Sequence, residues 1–407
     1  MKKGKFDSSV LLLALIVALV GGGVVLAVQS FQFDPIERAV AGDSVINTLF
    51  VIEKDGRPFS SYVLMFYPAT RRAAVFDVPG SIGGVLQRVN RVDRIDAVYD
   101  PGRIAPFKNE IERLLGIEIP FSFVMTLENL GKITDLMRGV EVFIPSAVSD
   151  FHYGHILFPS GRVFLDGDKA RVYVTYELPY ESAELVSARR HQFFMSFLRR
   201  LGEQNQYLGN PQVARLFHSL FESGTNRRLR ARLFDEIARV NIDRASIQTV
   251  RGDVREVSGQ ELLFPHWNGS LIREVVSHTM KTLSQTAESG MVDRVFTVEV
   301  LNGTTVTGLA GRTAEILEDF GYNVIFIGNA DRNDHDRTLI IDRSGHEEMA
   351  RVFGGVIRSR NILFDSQNQH TAGQHLAGID LAVQNFAHRS DFILILGRDF
   401  NGRYVTN

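Results

Sequence analysis

The sequence contains no cysteine, a single tryptophan and almost no net charge. The absence of cysteine excludes disulfides, thiolate metal sites, cysteine nucleophiles and lipid attachment to an N-terminal cysteine. A formal net charge of −2 gives no electrostatic basis for a nucleic-acid partner, and the sequence has no helix-turn-helix pattern or basic groove. What is present is an ordinary globular composition. Its 407 residues are 44% hydrophobic and 23% charged, which is enough material for two or three folded domains.

The first part of the chain has the pattern of a membrane anchor. Residues 10–28 carry no charge and follow three lysines within residues 1–9. At about 1.5 Å per residue, such a helix would reach about 28 Å, close to the thickness of a bilayer's hydrocarbon core. We therefore predict a cytoplasmic tail (1–9), a transmembrane helix (10–28), a linker (29–43) and a body outside the cytoplasm, in the periplasm or outside the cell. A cleaved signal peptide is the alternative.

Beyond the anchor, strand-like runs alternate with helical periodicity, which predicts an α/β fold with helices packed against a sheet. We predict one such domain over residues 44–284, a linker over 285–293 and a smaller α/β domain over 294–400. Within the first domain, residues 170–176 have the β-branched and aromatic pattern of a strand, and a helix is predicted from residue 188 onwards.

A glycine-rich loop at residues 302–311 lies between a predicted strand and a predicted helix, where phosphate-binding loops occur. However, Leu309 and Ala310 stand where the lysine and the hydroxyl residue of such a loop would be. The favoured interpretation is a tight turn before a helix that is capped by Thr305 or Thr307.

Three further groups of polar residues are compatible with ligands but are more typical of loops and solvated helix faces. His152 and His155 have no acidic third ligand at a convincing spacing, so a loop is favoured over a metal site. Residues 331–336 lack the glycine and distal glutamate of a calcium loop, which favours a solvated loop. Four arginines within residues 227–232 alternate with apolar residues at helical spacing, which favours a solvated face over a site for anionic headgroups or glycans.

The order of the motifs resembles the LytR–CpsA–Psr (LCP) family of cell-envelope phosphotransferases over residues 44–283. The residues that carry the resemblance are the runs LLGIEIPFSFVMTLENLGKITDLMRGVEV and LDGDKARVYVTYELPYESAELVSARRHQ. The tail resembles the C-terminal domain that is often appended to LCP proteins, through VLNGTTVTGLA, GYNV, GNAD and LGRDF. The resemblance implies a polyprenyl-pyrophosphate-linked glycan whose lipid enters an apolar tunnel. It also implies arginines that clamp the pyrophosphate, acidic ligands for Mg²⁺, and transfer to a cell-wall acceptor.

The acidic positions of the family pattern are changed in this sequence. The first acidic ligand of the family falls on Ser60 and the second on Ser81, while the arginine just before the second falls on Gly80. The family's asparagine falls on Asp96, and Asp77 lies nearby but out of register. We therefore predict no metal site from these positions, and Mg²⁺ as a cofactor only if the protein is catalytically active.

The cationic positions are changed as well. Two family arginines fall on Thr175 and Glu177, and the acidic and basic residues that begin the following family helix fall on Glu184, Ser187 and Arg190. Only one cation of the clamp is kept.

Residues that remain as candidates fall into two groups. The catalytic candidates are Arg190, Glu184, Asp77 and Asp96; the candidate ligand-binding cations are Arg190, Arg189 and Arg94. Because each lost clamp donor commonly costs about 10²–10³ in rate, we expect the chain to lack phosphotransfer.

Three functions remain open at this point. The first is a membrane-anchored envelope protein that binds an envelope glycan, a polyprenyl-linked carrier or an envelope protein without phosphotransfer. The second is an active but divergent LCP phosphotransferase that attaches a polyprenyl-pyrophosphate-linked glycan to the cell wall. The third is a structural adaptor that acts through its C-terminal domain.

Overall fold

The computed structural model describes Ile36 and residues 44–149, 156–179, 181–284, 295–364 and 390–406. The predicted tail, anchor and linker at the start of the chain lie outside these ranges, apart from Ile36. Within them, no helix combines the length and the apolar character needed to span a bilayer.

The described chain is a mixed α/β protein, as the alternation of patterns predicts. The helices are α1 (Ala105–Leu115), α2 (Leu127–Leu136), α3 (Gly167–Thr175), α4 (Ala183–Glu203), α5 (Asn205–Leu208), α6 (Pro211–Ser219), α7 (Arg227–Ile237), α8 (Ser270–Ser284), α9 (Leu309–Asp319) and α10 (Glu347–Val356). The first ten strands are β1 (Ile46–Lys54), β2 (Arg57–Tyr67), β3 (Arg72–Asp77), β4 (Gly83–Leu86), β5 (Arg91–Arg94), β6 (Phe121–Thr126), β7 (Val140–Ile144), β8 (Val148–Ser149), β9 (Ile156–Phe158) and β10 (Gly161–Leu165). The remaining strands are β11 (Ser246–Thr249), β12 (Gly252–Val257), β13 (Gln260–Pro265), β14 (Thr297–Asn302), β15 (Asn323–Asn329), β16 (Leu339–Asp342), β17 (Ile362–Phe364) and β18 (Phe392–Leu396).

The chain divides into two compact units. Of the described residues, the first contains those up to Ala73 together with those within Tyr99–Asn109 and Glu118–Asp243. The second contains Ala74–Val98, Glu110–Ile117 and everything from Arg244 onwards.

In the first unit, β1 pairs antiparallel with β2 and parallel with β6. The register places Phe50 opposite Tyr62 on one side and Phe123 on the other, so three rings form a row on one face of the sheet. Phe194 of α4 covers this row, with ring centroids 4.1 Å from Tyr62 and 5.7 Å from Phe50. Because β1 is buried along most of its length, both of its faces contribute to the core.

The space between this sheet face and the helices is filled by aromatic side chains. Phe123 is fully buried, and its ring centroid lies 4.9 Å from that of Phe234 on α7 and 5.7 Å from that of Phe221. Phe217 of α6 packs in turn against Phe234 at 5.0 Å. Close-packed rings of this kind form a core in which any void costs stability.

Residues 170–176 are predicted as a strand, but 170–175 belong to the helix α3 and Tyr176 is its C-cap. The reason is local capping combined with close packing. Asp166 is the N-cap, and its side chain accepts a hydrogen bond from the Lys169 amide at 2.9 Å. Gly167 donates its amide to Asp135 of α2 at 2.7 Å, and a Cβ at position 167 would lie 2.4 Å from the Gly131 carbonyl oxygen. The contact with α2 therefore overrides the β-propensity of the valines and tyrosine.

In the second unit, β3 pairs in parallel with β11, and two hairpins are formed by β4 with β5 and by β12 with β13. The C-terminal part forms a five-stranded sheet in the order β15-β14-β18-β16-β17, in which only the β16–β18 pair is antiparallel. Its core contains the rings of Phe353, Phe392 and Tyr322, all buried.

Two helix starts differ from the prediction. Helix α4 begins at Ala183, five residues earlier than expected, because Ser182 accepts a hydrogen bond from the Leu185 amide as N-cap. Helix α9 has Gly308 as its N-cap without a side-chain cap, so the predicted cap by Thr305 or Thr307 is wrong. Thr304 instead accepts a hydrogen bond from the Val306 amide and closes the preceding turn.

Candidate functional site

Arg189 and Arg190 lie on the first half of α4; Arg190 falls on a clamp position of the family pattern, and Arg189 is the adjacent candidate out of register with it. Arg189 is only 7% exposed. It forms an ion pair with Glu181, it donates from Nη2 to the Tyr176 carbonyl oxygen, and its Nε donates to the Tyr173 carbonyl oxygen at 3.1 Å. Its guanidinium also lies 3.6 Å from the centre of the Tyr176 ring. The hydrogen-bonding groups of Arg189 are thus engaged by other residues of the protein.

Arg190 makes a similar but more exposed set of contacts. Its Nε donates to the Val174 carbonyl oxygen at 3.1 Å, and its Nη2 lies 3.5 Å from Glu177 Oε1. The guanidinium stacks 4.2 Å from the centre of the Phe59 ring on β2. Glu177 stands where the family pattern has an arginine, so an acid of the chain faces the remaining cation.

The two arginines together bind the C-terminal end of α3. The last carbonyl groups of a helix have no partner within the helix, and the helix dipole favours cations there. Tyr173, Val174 and Tyr176 supply three such carbonyls, and Glu177 and Glu181 supply two carboxylates. Two positive charges are thereby matched by two negative ones, so a pyrophosphate would meet no surplus of positive charge at this pair.

Glu184 lies in the first turn of α4 and is exposed. Hydrogen bonds from its own backbone amide and from the Ser182 side chain hold the pKa of this carboxyl below its usual range. A carboxylate in the first turn stabilises the positive end of the helix dipole, and this role accounts for Glu184 without a metal ion.

Arg94 and Asp96 come together in the second unit, at the end of β5. The guanidinium binds the carboxylate in a two-pronged pair, with Nη2 at 2.5 Å from Oδ2 and Nε at 2.9 Å from Oδ1. The hydrogen bond to Asp96 raises the pKa of Arg94. Asp77, the remaining acidic candidate, is 8% exposed at the end of β3.

The Asp96 carboxylate occupies the space beside Gly80. A Cβ at position 80 would lie 2.6 Å from Asp96 Oδ2 and 3.1 Å from its Cβ. The position that carries an arginine in the family pattern is therefore packed against a carboxylate in this chain. Any side chain larger than that of glycine at position 80 would collide with Asp96 where it now lies.

We expect Gly80→Ala to destabilise the protein by about 1–3 kcal/mol, because the new methyl group forces Asp96 out of its pair with Arg94. Urea unfolding measures the change. Gly84→Ala is the matched control, since a Cβ there meets only Leu86, at 4.0 Å, and should change stability little. In an Asp96→Ala background, where the pair is already absent, Gly80→Ala should cost less than it does in the wild type. Equal costs at positions 80 and 84 would contradict this collision.

The side chains at the acidic positions of the family pattern are poor ligands for Mg²⁺ in this chain. Ser60 on β2 and Ser81 offer hydroxyl groups, which are weak ligands for Mg²⁺ compared with carboxylates. Throughout the ranges described above, no three histidine, aspartate or glutamate side chains are grouped so that they could hold an ion. The residues present do not fit the Mg²⁺ that the resemblance implies.

The polar side chains of the other motifs form hydrogen bonds with nearby groups of the protein. In the turn before α9, Asn302 Oδ1 accepts hydrogen bonds from the Thr304 amide and hydroxyl. Residues 331–336 are not fully solvated as predicted, because His335 is 5% exposed and lies 3.0 Å from Asp331. Arg230 on α7 donates to the His218 carbonyl oxygen. His152 and His155 lie outside the described residues.

Asp319, at the end of α9, lines a small pocket with Gln248, Arg251 and His266. Burial raises the pKa of Asp319 to about 6, although Arg251 Nε lies 3.4 Å away and opposes the shift. A pKa raised on folding means that the neutral acid is favoured in the folded state. This group therefore costs stability increasingly as pH rises from about 4 to about 6.

We expect Asp319→Asn to stabilise the protein at pH 7 by about 1–2 kcal/mol, with the gain vanishing near pH 4. The pKa difference corresponds to at most about 3 kcal/mol, and the lost contact with Arg251 offsets part of it. Urea unfolding at both pH values measures the gain. The control is Glu318→Gln, whose side chain is 43% exposed and also faces Arg251. A gain that is equally large at pH 4 would contradict the role of burial.

Comparison with known proteins gives a family match for the C-terminal part of the chain and structures of similar fold. Residues 296–400 match the family model described as LytR cell envelope-related transcriptional attenuator. The structure of B. subtilis TagV is similar, with a TM-score of 0.51, 15% identity and coverage of 59% of this chain and 98% of TagV. A protein from Enterococcus faecalis described as a transcriptional regulator gives a TM-score of 0.50 and 13% identity, covering 62% and 93%. No protein with a curated description matches the sequence.

Proposed function

From a chain that combines the fold of the LCP proteins with a C-terminal domain of the LytR cell envelope-related family, we propose a cell-envelope protein that has lost phosphotransfer. It binds an envelope glycan, a polyprenyl-linked carrier or an envelope protein. Residues 10–28 anchor it in the inner or cytoplasmic membrane with the N-terminus in the cytoplasm, and the body lies in the periplasm or outside the cell. This proposal extends the resemblance of the sequence motifs and the matched C-terminal domain.

The observation that supports the loss of phosphotransfer is the bonding of Arg189 and Arg190. Transfer of a pyrophosphate-linked group requires cations that are free to stabilise the charge that develops on the phosphate oxygens. In this chain Arg189 is buried against Glu181, and Arg190 faces Glu177. Freeing Arg189 for a ligand would leave a carboxylate and two carbonyl oxygens without a donor, which costs more than a single phosphate contact returns.

The changed acidic positions support the same conclusion. Ser60 and Ser81 replace carboxylates of the family pattern, and Gly80 replaces an arginine and is packed against Asp96. If about 10²–10³ in rate is lost for each electrostatic contact, several simultaneous losses would remove most of the rate enhancement that an intact site provides.

The test is a phosphotransfer assay on the full-length chain in lipid nanodiscs. A polyprenyl-pyrophosphate-linked oligosaccharide, peptidoglycan and Mg²⁺ are supplied, and release of polyprenyl phosphate is followed. A family member with its arginines and acidic ligands intact serves as the positive control. We expect no release by this chain. Mg²⁺-dependent release that disappears in Arg190→Ala would instead favour the divergent phosphotransferase, with Arg190 as a catalytic cation.

A further inference from the structure

The only tryptophan of the chain, Trp267, lies in a strained and partly exposed segment between β13 and α8. Trp267 and Asn268 have φ values of 49° and 55°, in the left-handed region, and Gly269 follows at 76°. Bulky residues adopt this region rarely, and such strain persists where the surrounding contacts fix it. Despite its size, Trp267 is 46% exposed.

The surrounding contacts come from α8 and from the C-terminal tail that follows β18. Ser270 donates its hydroxyl to the Trp267 carbonyl oxygen at 2.9 Å, and Arg403 Nη1 donates to Ser270 Oγ at 2.8 Å. Arg403 is 9% exposed, and its guanidinium lies 5.0 Å from the centre of the Trp267 ring. The indole is thus held by a buried arginine, while almost half of its surface remains open to solvent.

A second aromatic–arginine pair continues this surface. The guanidinium of Arg358 lies 3.7 Å from the centre of the Tyr404 ring, and its side chain is 61% exposed. Tyr404 in turn lies 4.7 Å from Arg403. Glu274 lies between them, 2.9 Å from Arg403 and 3.7 Å from Arg358, and accepts a hydrogen bond from the Tyr404 hydroxyl.

The charges around Trp267 do not balance. Arg358 and Arg403 share the one carboxylate of Glu274, and Arg273 adds a third guanidinium group beside this segment, where it reaches the Asn268 carbonyl oxygen at 3.5 Å. An exposed flat ring beside surplus arginine is suited to a ligand that has an apolar face and a negative group. A sugar ring with a carboxylate or phosphate substituent has both.

We infer that Trp267 and Arg358 form a binding site for an acidic glycan. One sugar ring stacks on the open face of Trp267, and its anionic group binds the exposed arginines, while Glu274 and Arg403 fix the platform. This inference rests on the proposed envelope function for its choice of a glycan. A nucleic acid is a poorer ligand because the whole chain carries a net charge of −2, and a bilayer is a poorer one because a single indole buries little area.

Binding can be followed on the full-length protein, because the fluorescence of its one tryptophan reports on the site. The probes are hexagalacturonic acid as an acidic oligosaccharide, maltohexaose as a neutral one of equal length, and inorganic phosphate. We expect saturable binding of the acidic hexamer that weakens with salt, and no comparable binding of the other two. Calorimetry should show that Trp267→Ala and Arg358→Gln each raise its dissociation constant about tenfold.

Arg255→Gln is the matched control, because Arg255 is equally exposed and lies 5.5 Å from the Phe264 ring but is not part of this platform. It should leave affinity within about twofold. If Trp267→Ala does not fold, Arg358→Gln decides alone, because it keeps the fluorescent reporter.

Equal binding of maltohexaose or phosphate, or equal loss in Arg255→Gln, overturns the site, as does the absence of binding. A negative result here leaves the expected absence of phosphotransfer untouched, because that is measured in a separate assay.

Discussion

Arg189→Ala is expected to destabilise the first unit by about 3–5 kcal/mol, the cost of breaking a buried ion pair from one side. The change leaves the Glu181 carboxylate without its partner and the Tyr173 and Tyr176 carbonyl oxygens without a donor. It also removes the guanidinium from the face of the Tyr176 ring. Urea unfolding at pH 7, followed by circular dichroism, measures the loss.

Arg190→Ala is the matched control on the adjacent residue. Its partner Glu177 is 69% exposed, so we expect a cost of only about 1 kcal/mol. Combining Arg189→Met with Glu181→Leu should recover much of the stability, because neither buried charge then remains. If Arg189→Ala costs no more than Arg190→Ala, Arg189 does not stabilise the fold through its ion pair, and it would then be available to bind a phosphate.

Phe123→Ala is expected to destabilise the first unit by about 3–5 kcal/mol. The side chain is fully buried and contacts the rings of Phe50, Phe221 and Phe234. Its removal leaves an apolar cavity between the sheet and the helices. The resemblance to LCP proteins implies a lipid tunnel between these two layers, so the same substitution tests whether native side chains fill that space.

Binding of a small apolar ligand in the cavity provides a second measurement, the unfolding temperature. Benzene should raise the unfolding temperature of Phe123→Ala but not of the wild type, because apolar cavities stay dry and bind such ligands. Phe123→Leu keeps most of the volume and should cost about 1–2 kcal/mol. A wild-type protein that co-purifies with a polyprenyl phosphate, detected by mass spectrometry, would show that the aromatic side chains leave room for a lipid.

Sequence patterns predicted most of the strands and helices because their periodicity reflects burial directly. The segments that form β1 and β18 are continuous runs of mostly apolar residues, which favour buried strands. Helix α3 was misassigned because its valines and tyrosine favour strands, whereas the Asp166 cap and the fit of Gly167 against α2 decide its conformation. Aspartate is a favourable N-cap residue, but the contact of Gly167 with α2 exists only in the folded chain.

The candidate site was predictable in its residues but not in their partners. Register against the family pattern identified Arg190 and its changed neighbours. Nothing in the spacing indicated that Glu181, eight positions before Arg189, would neutralise that arginine, because the two residues meet only once the loop after α3 folds back. Arg94 and Asp96 were each identified, yet their mutual pairing and the fit of Asp96 beside Gly80 depend on the hairpin of β4 and β5.

The fit of Asp96 beside Gly80 has an evolutionary consequence. A single reversion to the arginine of the family pattern would bring its Cβ against Asp96 Oδ2 and dislodge the Arg94 pair before any phosphate contact could be regained. A Gly80→Arg variant would therefore be less stable than the present chain. If phosphotransfer has been lost as proposed, regaining an arginine at this position would require a second change at Asp96, so selection for folding alone would oppose the first step.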